Sequence, residues 1–293
     1  MRKLYAVLLI CLFIPLSVPA DATEGILPAR RLIPRETYAI MGRGEGLWSS
    51  DAPYIASVDE NGVITARAEG SAVIRLDAVG QTRLTMRVLV EANPQVPDTI
   101  SRAIDLGIAE WATSQGKTFK RSNKYTTWYY GPRASFGWCG AFTSYSLDEA
   151  GVFQEPTDTW RGLKPLGDGL PHGVREAGVP KLLGGYTNLD RITFIPRPGY
   201  LIIYGNRGGY RTVHVGLITR VEERGEGIYL LETVEGNLAS RIKRLSYLYD
   251  STAPDQKRNM SMLPESERSN PEVFQYRLSS DDWRVTAIAQ TWY

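Results

Sequence analysis

The hydrophobic period of this chain changes once, and that change sets how many folding units it needs. Before residue 91 the apolar residues alternate. Leu84, Met86, Val88 and Val90 point one way and Arg83, Thr85 and Arg87 the other, and Ala72, Ile74 and Leu76 repeat the pattern. A period of two is that of a half-buried strand. Asn61-Gly62, between Ile55–Val58 and Val63–Ile64, is a hairpin-turn signal. Residues 91–97 (E-A-N-P-Q-V-P) have two prolines and no period. Behind them Ile100, Ile104, Ile108 and Trp111 recur at helical spacing, with Asp98 as the expected N-cap and Gly116 as the stop. The pattern predicts an all-β unit over residues 30–91, a linker over 92–97 and a second unit over 98–293.

The first twenty residues read as a secretory signal peptide. Arg2 and Lys3 supply the positive start, Leu4–Leu16 an apolar run and Val18-Pro19-Ala20 the small residues at a cleavage site. The run is short for a membrane span. Ile10, where a small residue is needed, argues against a lipid on Cys11. No later stretch is apolar enough to cross a bilayer. Removing Arg2 and Lys3 takes the 34 basic side chains to 32, equal to the 32 acidic ones, so the exported chain is neutral. A neutral chain without a basic stripe disfavours nucleic acid as a partner.

Cysteine use is the sharper signal. Of two cysteines, Cys11 falls in the leader and Cys139 is left without an intrachain partner. An exported protein usually pairs its cysteines. Cys139 is therefore either a small buried hydrophobe or a reactive thiol. After it Phe142, Ser146 and Ala150 share a helical face, and Gly151 suits the end of that helix. Cys139 would sit in the first turn, where the positive end of the helix dipole favours an anion, here the nucleophilic thiolate.

A thiolate nucleophile needs a base. Only His172 and His214 are available. His172, in Leu-Pro-His-Gly, reads as a surface-loop histidine. His214 lies on an alternating strand, on the face it shares with Gly216, Ile218 and Arg220, with room beside it above Gly216. It is either a satisfied core histidine or the base. Residues 222–227 (E-E-R-G-E-G) read as a polar loop before the strand Ile228–Val234. If Val221 pairs with Ile228 across it, Glu235 falls opposite His214, within reach of the imidazole. Asn237, two residues on, would orient the histidine or polarise a carbonyl. A backbone amide near Cys139 would complete an oxyanion hole. Aromatic residues crowd Lys124–Tyr130. They read as core packing or as the wall of a substrate groove, with Tyr125, Trp128 and Trp138 as candidates for lining it.

Two resemblances follow from these residues. W-S-S-D (48–51), I-A-S-V-D (55–59), G-V-I-T-A (62–66) and G-S-A-V-I (70–74) are similar to the bacterial immunoglobulin-like domain, group 2. That implies an all-β sandwich serving as a spacer or as a binder of wall or surface carbohydrate. G-W-C-G-A-F-T-S-Y (137–145), H-V-G-L-I (214–218), E-G-N (235–237) and the preceding P-R-P-G-Y-L-I-I-Y (196–204) resemble the CHAP family, the cysteine, histidine-dependent amidohydrolases/peptidases. The likeness spans roughly 98–240. It implies a papain-like α+β catalytic domain, helices carrying the cysteine on an antiparallel sheet carrying the histidine. It also implies cleavage of an amide bond in peptidoglycan, with Cys139 as nucleophile, His214 as base and then acid, Glu235 orienting the ring and Asn237 in support. No cofactor is expected, and no metal, since no acidic calcium-loop pattern appears.

The 152–198 stretch is long for this family and reads as an insertion shaping the cleft. In the tail, Val273–Leu278 and Val285–Tyr293 are expected to complete the sheet. A Cys-His-His endopeptidase needs a histidine after His214, and none follows. A non-enzymatic surface-binding protein on a hydrolase scaffold, and an amidase with a non-wall substrate, remain the other readings.

Overall fold

The computed structural model describes residues 25–27, 29–40, 46–78, 81–153, 173–206, 212–252 and 283–292. The leader, His172, much of the 152–198 stretch and the strand expected at Val273–Leu278 lie outside the described residues.

Among the described residues eight strands precede the linker: β1 (Gly25–Ile26), β2 (Arg30–Leu32), β3 (Thr37–Ala39), β4 (Leu47–Ser50), β5 (Ala56–Val58), β6 (Val63–Ala66), β7 (Gly70–Ala78) and β8 (Gln81–Val90). β1, β8, β7 and β4 run side by side, with β2 also on β8, and β3, β6 and β5 form a second sheet. The alternation explains the layering. Met86, Val88 and Val90 from one sheet and Ala56, Ile64 and Ala66 from the other are buried in one core. β5 and β6 form the hairpin expected at Asn61-Gly62. Gly62 takes φ +77° there, and the Asp59 carboxylate accepts from the N–H groups of Asn61 and Val63 at 2.9 and 2.8 Å.

The second core is built on a six-stranded antiparallel sheet. Its strands are β9 (Ile192–Thr193), β10 (Leu201–Gly205), β11 (Thr212–Gly225), β12 (Ile228–Leu238), β13 (Arg241–Asp250) and β14 (Arg284–Ala289), in the order β13-β12-β11-β10-β14-β9. Four helices pack around it: α1 (Asp98–Thr113), α2 (Lys124–Tyr130), α3 (Cys139–Glu149) and α4 (Val179–Asn188). α1 crosses the sheet at Gly107, where a Cβ would lie 2.8 Å from Val234. Asp98 is the first residue of α1 and not its cap. Pro97 takes that place without a side-chain hydrogen bond, so Asp98 contributes through its charge in the first turn.

The two cores meet at a polar seam. Arg30 donates from Nη1 to the Asp190 carbonyl at 2.7 Å and from Nη2 to Oε1 of Gln290 at 3.3 Å. The Gln290 amide donates to Glu36 Oε1 at 3.1 Å, and the Ile33 N–H donates to Glu36 Oε2 at 3.1 Å. Arg30, Glu36 and Gln290 are all buried. Buried polar groups persist only when paired, so these bonds hold the sandwich to the sheet at a defined place. At the exposed rim Arg35 pairs with Glu223.

Candidate active site

α3 begins at Cys139. Its N-cap, Trp138, makes no side-chain capping bond, which leaves the first-turn N–H groups uncapped by any side chain. Gly140 is dictated by a neighbour: a Cβ there would lie 2.4 Å from the Ala177 carbonyl oxygen. The segment before α4 therefore presses directly on the start of α3. Ser144 Oγ tightens this contact by donating to the Glu176 carbonyl at 3.1 Å. Cys139 is unpaired and 6% exposed.

His214 comes from β11 and Glu235 from β12. The imidazole Nε2 lies 2.9 Å from Glu235 Oε2. Cys139 acts on the same ring from the start of α3. Burial works against a charge on the ring. The hydrogen bonds and charges of Cys139 and Glu235 outweigh it, and His214 is pushed up to about 9. A ring raised this far favours its protonated form near neutral pH.

Glu235 is fully buried. Its Oε1 accepts from Thr233 Oγ1 at 2.8 Å and from the Tyr204 hydroxyl at 3.1 Å. The Tyr204 hydroxyl also meets that of Tyr247. The Tyr204 ring stacks near the imidazole, with centroids 5.9 Å apart and planes 25° apart, and Trp283 lies 4.9 Å from it.

The β11–β12 register differs from the expected one. Val221 pairs with Leu231, not Ile228, because Glu222–Gly225 continue the strand and only Glu226 and Gly227 turn. The slip is two residues at Leu217, which pairs with Val234, three from Arg220 to Glu223 and four at Gly225; the irregularities between Ile218 and Arg220 and between Glu223 and Gly225 each add one. A slip of two keeps every side chain on its face. Glu235 thus sits over Gly216, whose missing Cβ would lie 2.7 Å from Glu235 Cγ. The room beside His214 is used by the carboxylate, approached diagonally.

Asn237 takes φ +60° at the end of β12. Its Nδ2 lies 3.4 Å from where a Gly137 Cβ would be, so it reaches the loop ahead of Cys139. Among the described residues no hydrogen bond joins it to His214. Tyr125 and Trp138 are both 0% exposed and stack on each other at 5.2 Å and 14°. Neither presents a surface to a substrate, which corrects their place as groove residues: packing against α3 claims both rings. Trp128 is half-buried, donates to Asp148 Oδ2 at 3.2 Å and carries the Arg175 guanidinium over its ring at 4.6 Å.

Four residues around the imidazole and carboxylate escaped the sequence reading: Tyr204, Thr233, Tyr247 and Trp283. Tyr204 had a usable signal, as the last aromatic of the run Tyr200–Tyr204 on the strand before His214. Trp283 had none, since its place depends on how the tail returns to the sheet.

Among the described residues no cluster of His, Cys, Asp and Glu is placed to hold a metal ion, and no helix is long and apolar enough to cross a membrane. No family model matches the chain, and neither a curated protein nor a solved structure matches it.

Proposed function

We propose that this protein is a cysteine amidohydrolase/peptidase working through a Cys139–His214–Glu235 triad, with a papain-like catalytic domain of the CHAP type. The observation that carries the reading is one buried imidazole held 2.9 Å from a buried carboxylate and acted on by a thiol at a helix start. The thiolate attacks an amide carbonyl carbon. The oxyanion that forms is met by first-turn N–H groups of α3, with the Asn237 amide as a second donor from across the loop. The imidazolium gives its proton to the leaving amine as the C–N bond breaks, and an acyl-thioester remains on Cys139. The now neutral imidazole takes a proton from water, hydroxide attacks the thioester, and the acid is released with thiolate and imidazolium restored. Glu235 holds the ring's tautomer and orientation throughout.

The substrate we propose is peptidoglycan, cleaved as an N-acetylmuramoyl-L-alanine amidase or as a peptide cross-link endopeptidase. The support is the likeness of the cysteine, histidine and glutamate motifs to that family, together with a leader for export to the periplasm or beyond. The sandwich, similar to bacterial immunoglobulin-like domains, would serve as spacer or wall-carbohydrate binder. The test pairs the parent with Cys139→Ala on purified peptidoglycan, the soluble products read by mass spectrometry. Products from the parent alone support the reading, and their masses separate amidase from endopeptidase. Equal digestion by both overturns it. No product from either, with the thiol reduced, moves the assignment to a different amide or to a binding protein.

A further inference from the structure

We propose that Tyr204, backed by Tyr247 and joined by Thr233, is the positioning device of this site: its ring aligns the His214 imidazole while its hydroxyl fixes the Glu235 carboxylate. The inference rests on the thiol–imidazole reading above and adds residues that reading does not contain.

The geometry has three parts. First, Tyr204 and His214 are direct partners across β10 and β11, so the two rings meet side by side at 5.9 Å and 25°. Second, Tyr204 and Thr233 both donate to the same carboxylate oxygen, Oε1, at 3.1 and 2.8 Å, and leave Oε2 to face Nε2. Two fixed donors on one oxygen set the plane of the carboxylate. Because the Tyr204 hydroxyl donates to Glu235, it accepts from Tyr247, and three groups form one directed chain. Hydroxyls aligned in this way polarise one another and favour the ionised carboxylate. Third, the β10–β11 ladder shifts between Tyr204 and Gly205, and the β10–β14 ladder shifts between Ile203 and Tyr204. The extra residues are Val213 on β11 and Thr286 on β14, so both neighbouring strands bend at Tyr204 while β10 runs on unbroken.

Among the described residues three further groups face the pair. Cys139 reaches His214 from α3, Trp283 packs on the imidazole at 4.9 Å, and Lys243 on β13 stands directly opposite Glu235. Burial, and then the charge of Arg241, lower the Lys243 ammonium below its usual range.

The test uses Tyr204→Phe, which removes the hydroxyl and keeps the ring, with Tyr247→Phe and Thr233→Val beside it. The chain has only two histidines, so an NMR titration of the imidazole protons, assigned with His172→Gln, reads His214 directly and needs no substrate. The parent His214 is expected near 9. In Tyr204→Phe, Glu235 is less firmly anionic, and the His214 midpoint falls by roughly 0.5–1 unit, with a smaller fall in Tyr247→Phe. Amide turnover falls about tenfold in Tyr204→Phe, in kcat more than in KM. A His214 midpoint unchanged in Tyr204→Phe, beside a parent value near 9, overturns the proposal and leaves the triad standing. A parent midpoint near the ordinary histidine value, unmoved by Cys139→Ala, overturns both. If Tyr204→Phe does not fold, Thr233→Val decides by the same shift.

Discussion

Glu36 and Glu235 are both carboxylates taken out of water, and each is met by donors from distant parts of the chain. Glu36 sits at the seam between the two cores, held by the Gln290 amide and the Ile33 N–H. Glu235 sits within the larger sheet, held by Thr233, Tyr204 and His214. The difference lies in what the partners can do next. Amide donors do not titrate near neutral pH, so the Glu36 network stops at shape. One partner of Glu235 is an imidazole, and that imidazole continues to a thiol at a helix start. A buried charge is therefore not in itself a site. It becomes one when its partner titrates and is bonded in turn to a nucleophile.

The comparison is sharpest when each network is cut at one point. Glu235→Gln keeps the volume of the side chain but offers the imidazole the wrong charge. Turnover should fall on the order of 10³–10⁴-fold, the scale of a triad carboxylate replaced by its amide, with Cys139 still present and the protein folded. A fall of less than tenfold would place Glu235 with Glu36, as structure.

The second difference is in pH. His214 is raised from 6.5 to about 9 in the folded protein. A group whose folded value is raised stabilises fully below its unfolded value, and that stability is lost as pH rises through the folded value. Between pH 6.5 and 9 the parent should lose on the order of 3 kcal/mol at most, read from urea midpoints across that range. Cys139→Ala removes one of the two groups that raise His214 and should flatten the slope.

Gln290→Leu cuts the seam instead. It strands Glu36 Oε1 and Arg30 Nη2, both buried, and should cost about 2 kcal/mol of stability. Turnover per folded molecule should hold, since none of these groups approaches Cys139. A parallel loss of turnover would mean that the sandwich helps to shape the cleft.

How far the sequence showed these two networks differs as well. The period of two on β11 placed His214 and Gly216 on one face, and the gap left by Gly216 was visible before any partner was known. The pairing was misread because Glu222–Gly225 are polar, and polar residues in a row look like a loop. Glu223–Gly225 are exposed and Glu222 half-buried at the end of the hairpin, where a strand has nothing apolar to show. The aromatic crowd at 124–138 was ambiguous for a different reason. Core and binding groove recruit the same rings, and only burial separates Tyr125 and Trp138 from Trp128. Tyr247, Trp283 and the whole seam depend on which distant strands become neighbours. Arg30, Glu36 and Gln290 carry no local pattern, because the charges that make them conspicuous are usually found on a surface.

The smallest effect is expected at the rim of the seam, and it tests whether burial is what makes these polar contacts count. Arg35 and Glu223 form an ion pair with side chains 50% and 46% exposed, about 190 residues apart in sequence. Water screens such a pair, and holding two long side chains together costs rotamer freedom. Arg35→Gln should therefore change stability by less than about 1 kcal/mol. What change there is should shrink as salt is raised from low concentration to 1 M, where screening acts over about 3 Å. Urea midpoints at the two salt concentrations measure both quantities. Gln290→Leu, a few residues away in space but dry, should be nearly indifferent to salt. If Arg35→Gln proved as costly as Gln290→Leu, the two cores would be joined by charge at their edge, and the buried bonds of Arg30 and Glu36 would be secondary.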